Sequence, residues 1–150
     1  MISLDLQTFQ QIRKAGNVTG VIFLELQRGP FPEAGWSDFP VIILGWWIEA
    51  WLQLETSAQR REVQWRFMDG PYSATLTVTS AQSPDAFAFS DVKDSLLAAG
   101  EHVIAHCEQH GMLSTHLEPL RFNVKRLKTS QMAKRNASNS FVHIKTQRLQ

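Results

Sequence analysis

The sequence contains a single cysteine, Cys107, among its 150 residues. One thiol cannot close an intramolecular disulfide, and it leaves a cysteine-based metal site without a second sulfur ligand. The amino terminus also lacks a basic segment followed by an apolar run and a small-residue cleavage site, so no secretory signal is expected. These absences favour a protein of the reducing cytoplasm.

A membrane-spanning helix is not expected either. The longest mainly apolar stretch covers residues 39–54, and Pro40, Gly45, Glu49 and Gln53 interrupt it. A spanning helix needs about 20 predominantly apolar residues, and a carboxylate near its centre costs about 2.5–3.5 kcal/mol on insertion scales. We therefore predict that this stretch is buried in the protein and that the membrane is not a partner.

Motifs of catalysis and nucleotide binding are missing as well. The sequence has no Gly-rich phosphate loop, no G-x-S-x-G, no H-E-x-x-H and no C-x-x-C. Cys107 falls on the apolar stripe of a predicted helix, where a thiol packs as a small hydrophobe. Turn chemistry explains Asp69, which stands in an Asp-Gly pair, without a catalytic role. We predict a protein that is not an enzyme and needs no cofactor.

Charge is unevenly distributed along the chain, although the formal net charge is only +1. Residues 1–118 contain all fourteen acidic side chains and seven of the fifteen basic ones. The residues after Glu118 contain eight basic side chains and no acidic one. This division predicts an acidic body followed by a basic tail.

Strict alternation of apolar and polar residues identifies a β-hairpin. Residues 63–67 alternate, the Asp69-Gly70 pair tolerates positive φ, and residues 72–79 alternate again. A helix is predicted over residues 91–110, with Ser90 as its N-cap and Gly111 at its end. Its apolar stripe consists of Val92, Leu96, Ala99, Val103 and Cys107.

The tryptophan-rich stretch 42–54 reads as a strand, because every second residue from Ile42 onward is apolar. That reading makes Trp46 a core residue. The alternative is a buried helix with Asp38 as N-cap and Pro40 in its first turn, since periodicity does not separate the two in a continuous apolar run. Further strands are predicted over residues 21–26, 120–125 and 141–145.

These elements predict an α+β fold with an antiparallel sheet of four to six strands and one principal amphipathic helix across a face. Residues 1–127 form the single globular domain in this interpretation. Residues 128–150 form a basic C-terminal extension that ends in the predicted terminal strand.

The predicted helix also carries three histidines, His102, His106 and His110, at i, i+4 and i+8. Adjacent imidazoles at this spacing can share a metal ion, but the outer two lie about 12 Å apart along the helix. A small metal-dependent enzyme is thus one alternative, with a third ligand from Glu101, His116 or His143. Histidines at the border of an apolar stripe explain the pattern without a metal, and we favour that interpretation.

The basic tail suggests a second alternative, a nucleic-acid-binding module. Its Lys and Arg side chains would contact phosphates, and Phe122 and Phe141 would stack on bases. A solvated extension, either free or docked on the protein's own acidic body, accounts for the same charges without nucleic acid.

Two blocks of sequence, GPFPEAGWSDFPVIILGWWIEAW and VQWRFMDGPYSATLTV, resemble a pattern in small bacterial immunity proteins of polymorphic toxin systems, including contact-dependent growth inhibition. The resemblance covers about residues 29–79 and depends mainly on Trp36, Asp38, Trp46, Trp47 and residues 67–72. It implies a protein that binds a cognate toxin domain, often a nuclease, and neutralises it by stoichiometric protein–protein interaction.

The acidic body is consistent with that role, because complementary charge speeds association with the basic groove of a nuclease. We expect exposed acids to make the contacts, with Trp36 as an aromatic anchor. The predicted partner-binding residues are Glu33, Trp36, Asp38, Glu55, Glu62 and Asp69.

Overall fold

Two antiparallel sheets and three helices make up the part of the chain that the computed structural model describes, which is residues 1–12, 16–133 and 141–149. In chain order the elements are β1 (Ile2–Ile12), β2 (Asn17–Leu26), β3 (Gly29–Phe31), β4 (Ser37–Asp38), α1 (Pro40–Thr56), β5 (Glu62–Arg66), β6 (Tyr72–Thr79), β7 (Ala86–Ala88), α2 (Phe89–Gln109), α3 (Leu117–Thr129) and β8 (Phe141–Arg148). The α+β class with antiparallel pairing is therefore confirmed.

The strands divide into two four-stranded sheets. In the first, β2 pairs with β1, β3 and β4, and in the second the order is β5-β6-β8-β7. The helix α1 contacts β2 of one sheet and β5 of the other, and it packs against α2 and α3. The core therefore surrounds α1.

Residues 42–54 belong to this helix, so the predicted strand is wrong and the alternative helix is right. Pro40 occupies the first turn, where its missing N–H costs nothing, but the N-cap is Phe39 rather than Asp38. Because a helix has a different period from a strand, different tryptophans are buried. Trp47 and Trp51 are fully buried, whereas Trp46 is 47% exposed. The prediction that Trp46 is a core residue is wrong.

The predicted hairpin is confirmed, with Val63 opposite Leu76 and Trp65 opposite Ala74. The indole ring of Trp65 stacks on that of Trp47 at 5.1 Å between centroids. Each of these rings also donates a hydrogen bond: Trp65 Nε1 to the carbonyl of Trp47 at 3.1 Å, and Trp47 Nε1 to the carbonyl of Arg66 at 2.8 Å. These contacts fix the position of the β5–β6 hairpin on α1.

The amphipathic helix predicted over residues 91–110 is present as α2, and the whole predicted stripe is buried. Ser90 lies inside the helix, because the N-cap is Ala88 and no side chain caps this end. Gly100 lets α3 approach closely: a Cβ at this position would stand 2.8 Å from Cγ2 of Val124.

Residues 120–125 lie in α3, so the strand predicted there is wrong. Four apolar residues at helical spacing face the core: Leu117, Leu120, Val124 and Leu127. The predicted terminal strand is confirmed as β8, which lies between β6 and β7. The boundary proposed at residue 128 falls within α3, and Lys134 and Arg135 of the proposed extension lie outside the described residues.

None of the helices in the described residues has the length and apolar character needed to cross a membrane.

Candidate protein-binding surface

Asp38 organises the junction between the loop after β3 and the turn of the hairpin. Its side chain is buried, with 1% exposure, and it accepts four hydrogen bonds. Oδ1 accepts from the main-chain N–H groups of Phe39 at 2.8 Å and Met68 at 3.3 Å. Oδ2 accepts from Trp36 Nε1 at 2.9 Å and the N–H of Asp69 at 3.1 Å. The prediction that Asp38 is exposed is therefore wrong.

The ring of Trp36 lies half-buried beside this carboxylate. It meets the ring of Tyr72 edge to face at 5.2 Å, and its six-membered ring lies over Gly70, where a Cβ would be 3.1 Å away. Gly70 also has a φ of 113°, a conformation that side-chain-bearing residues rarely adopt. The positive φ therefore favours glycine at this turn, and a side chain there would also press on the ring of Trp36.

Three exposed residues lie in the loop and the turn that meet at Trp36 and Asp38. Glu33 is in the same loop, where its carbonyl accepts from the N–H of Trp36 at 3.2 Å, and Met68 and Asp69 come from the hairpin turn. Met68 is 45% exposed and adds an apolar side chain beside the half-buried ring of Trp36. We call the set Glu33, Trp36, Met68 and Asp69 the loop–turn patch.

Glu55, another predicted contact residue, is also buried, so the expectation of exposure is wrong for it as well. Its carboxylate pairs with Lys93 Nζ at 2.9 Å and accepts from the hydroxyl of Ser130. Lys93 Nζ in turn donates to the carbonyl of Ser130 at 2.9 Å. Since a buried charge is tolerated when it is paired and hydrogen-bonded, this cluster fastens α1, α2 and the end of α3 together.

Ser130 and Lys93 also have the composition of a nucleophile and its base, with 3.1 Å between Oγ and Nζ. Nζ of Lys93 is held by the carboxylate of Glu55 at 2.9 Å and by the carbonyl of Ser130 at 2.9 Å. The contacts of this cluster are those of a structural ion pair that connects the three helices.

The three helix histidines do not converge on one metal-binding point. His106 and His110 stack at 4.1 Å between ring centroids, and His110 Nδ1 lies 3.0 Å from the carbonyl of His106. Burial, and to a lesser degree the charge of His110, lowers the pKa of His106. His102 lines a separate small cavity beside β1. Across the described residues, no three His, Cys, Asp or Glu side chains are grouped as metal ligands.

Cys107 is buried, as predicted for a packing residue. Burial raises the pKa of its thiol, and Arg121 only partly offsets that effect. The thiolate needed for nucleophilic attack is therefore scarce at neutral pH.

Basic residues of α3 lie against acidic residues of the other helices. Arg126 pairs with Glu49 of α1 at 2.7 Å, and Arg121 pairs with Glu108 of α2 at 3.0 Å. Phe122 is 62% exposed on the outer face of α3. At least this part of the basic segment is docked on the acidic body.

A groove runs along the exposed side of α1, and none of the predicted contact residues lines it. Its volume is about 530 Å³. We call it the α1 groove, and its main lining residues are Ile42, Gly45, Trp46, Glu49 and Gln53 on the floor, Arg60, Val63 and Gln64 on one wall, and His116, Pro119 and Asn123 on the other.

The six predicted contact residues therefore separate into three groups. Glu33, Trp36 and Asp69 meet in the loop–turn patch around the buried Asp38, whereas Glu62 is exposed on β5 and Glu55 lies inside. No protein-family model, curated protein or solved structure matches the chain.

Proposed function

We propose that the chain is an immunity protein that neutralises a bacterial toxin domain by stoichiometric binding, and that the loop–turn patch makes the central contact. The observation that supports it is the combination of an aromatic ring, an exposed methionine and two carboxylates on one fixed surface. Aromatic residues and Met are enriched in protein interfaces, and hot spots are often aromatic.

Rigidity of the patch favours tight binding. Asp38 holds the loop and the turn together through four hydrogen bonds, so little conformational freedom remains to be lost on association. In this proposal Asp38 positions the patch, whereas the patch residues contact the toxin, with Trp36 as the aromatic anchor.

The proposed toxin is a nuclease. Glu33 and Asp69 project negative charge beside an apolar anchor, which suits the basic groove with which a nuclease holds nucleic acid. Charges of this kind at the rim of an interface chiefly raise the association rate and select the partner. The proposal includes a cytoplasmic location, because a nuclease must be blocked where its substrate is.

Co-expression with the toxin domain encoded by the adjacent upstream gene tests the proposal. We expect growth to be restored, a one-to-one complex to co-purify, and the double variant Glu33→Lys, Asp69→Lys to bind at least about tenfold more weakly, or about 1.4 kcal/mol. Glu62→Lys is the matched control, because this acid is exposed outside the patch.

Two results would overturn the proposal. One is that no toxin gene is adjacent and no protein partner co-purifies from the native host. The other is that the patch double variant and the Glu62→Lys control bind the toxin equally well.

A further inference from the structure

The α1 groove runs past the free edge of β5. Val63 and Gln64 both line it, yet neighbouring side chains of a strand point to opposite faces of the sheet. A cavity that reaches both residues must therefore pass the edge of the strand. The opposite edge of β5 is covered by β6, so the groove lies along the outer one.

The register identifies which main-chain groups of β5 point away from β6, toward the outer edge that the groove reaches at Gln64. A main-chain hydrogen bond marks each end of the β5–β6 ladder. At one end the N–H of Val78 donates to the carbonyl of Arg61, and at the other the N–H of Phe67 donates to the carbonyl of Tyr72. Because hydrogen-bonded pairs alternate with non-hydrogen-bonded pairs, Val63 and Trp65 bond to β6.

Glu62, Gln64 and Arg66 consequently direct their N–H and C=O groups outward. The carbonyl of Arg66 confirms this direction, since it accepts a hydrogen bond from Trp47 Nε1 of α1. Among the hydrogen bonds of the described residues, none uses the outward main-chain groups of Glu62 or Gln64. A strand edge of this kind is a template for pairing with another chain.

The floor of the groove is long enough to hold a short extended segment. From Ile42 to Gln53 the helix axis rises about 16 Å, which is the span of about five residues of extended strand. Gly45 leaves the helix backbone open, since a Cβ there would meet no atom within 4 Å. The exposed indole of Trp46 stands next to it and offers a surface for an apolar side chain.

The opposite wall is held in position by α3. Asn123 Nδ2 donates to the carbonyl of Gly45 at 3.1 Å, and the Arg126–Glu49 pair ties the same two helices together. The groove is thus bounded by two fixed helices and by one strand with free hydrogen-bonding groups.

We propose that the α1 groove binds an extended segment of a partner polypeptide, which adds to the edge of β5 as a further strand and packs an apolar side chain on Trp46. A helical segment satisfies its own main-chain groups and would leave those of Glu62 and Gln64 unpaired, whereas a strand pairs with them. This inference uses residues outside the loop–turn patch, so it does not depend on the toxin proposal.

The experiment uses a library of random linear ten-residue peptides displayed on phage and selected on the full chain. We expect the enriched peptides to lose at least about tenfold in affinity with Gln64→Pro, which removes the outward N–H. Gln64→Ala is the matched control, because it keeps that N–H and removes only the side chain. Trp46→Ala should weaken binding, and Phe122→Ala, on the outer face of α3, should not.

Hydrogen exchange on the wild-type chain provides a readout that does not depend on the folding of any variant. The amides of Glu62 and Gln64 should exchange more slowly when a selected peptide is bound, because they then donate to the added strand. No enrichment of peptides, equal affinity for Gln64→Pro and Gln64→Ala, unchanged exchange, or a helical bound peptide would each overturn the proposal. So would a dimer of the chain that dissociates with Gln64→Pro, since a second copy would then occupy the edge.

Discussion

Replacing Asp38 by Asn should be far more damaging than the loss of one surface charge. The carboxylate receives two donors on each oxygen, and Asn replaces one of those oxygens with an NH₂ group that is itself a donor. Two hydrogen bonds to a charged group, each contributing about 1.5–3 kcal/mol, are lost. Allowing for some relaxation of the loop, we expect the free energy of unfolding to fall by about 3–5 kcal/mol.

Urea unfolding followed by tryptophan fluorescence measures this loss, and a constant slope against denaturant shows that the compactness of the two states is unchanged. Asp69→Asn is the matched control, because only the main-chain N–H of Asp69 joins the network and its side chain is exposed. This control should change stability by no more than about 0.5 kcal/mol. A loss below about 1 kcal/mol for Asp38→Asn, or equal losses for both variants, would refute the reasoning.

Three further expectations concern the helices. Gly45→Ala should raise the free energy of unfolding by about 1 kcal/mol through helix propensity. Gly100→Ala gains the same propensity, but its methyl would meet Val124 at an overpacking cost of about 1–3 kcal/mol, so we expect a net loss of up to about 2 kcal/mol. Thermal unfolding that shifts both variants in the same direction contradicts this. The lowered pKa of His106 means that the unfolded chain binds its proton more readily, so stability should decline as the pH falls below about 6.5. His110→Gln should raise the pKa of His106 only in part, since burial remains, and an NMR titration with no change would contradict that cause.

Local patterns predicted the elements that have one clear period. The hairpin 63–79 alternates strictly around an Asp-Gly pair, and α2 repeats its apolar residues at helical spacing over five turns. In both elements a single face is buried, so the positions of the apolar residues show which face it is.

The same reasoning failed for α1 because nearly all of its faces are covered. A helix buried on most sides has an apolar run without a period, and the run then fits a strand equally well. The exposed residues Trp46, Glu49, Gln53 and Thr56 do recur at spacings of three and four, which is a helical signal. The polar residues Glu49, Gln53 and Thr56 alone, spaced by four and three, indicate a helix with one exposed side.

The misassigned α3 and the role of Asp38 have other causes. Residues 120–125 alternate over only six positions, which also fits a helix that buries Leu120 and Val124. Asp38 accepts hydrogen bonds from the main-chain N–H groups of Met68 and Asp69, which are about thirty residues away in the sequence. The sequence around Asp38 therefore does not indicate that its carboxylate is buried.

The position of β8 within the second sheet determines when that sheet can be completed during synthesis. The hairpin β5–β6 is local and can form early, but the partner of β6 on its other side begins about sixty residues after β6 ends. At roughly 5–20 residues per second, a ribosome needs about 3–12 s to make that segment. Throughout that interval the nascent chain exposes one edge of β6, which is open to pairing with another nascent chain. Translation speed between β6 and β8 should therefore govern how much of the protein aggregates before it folds.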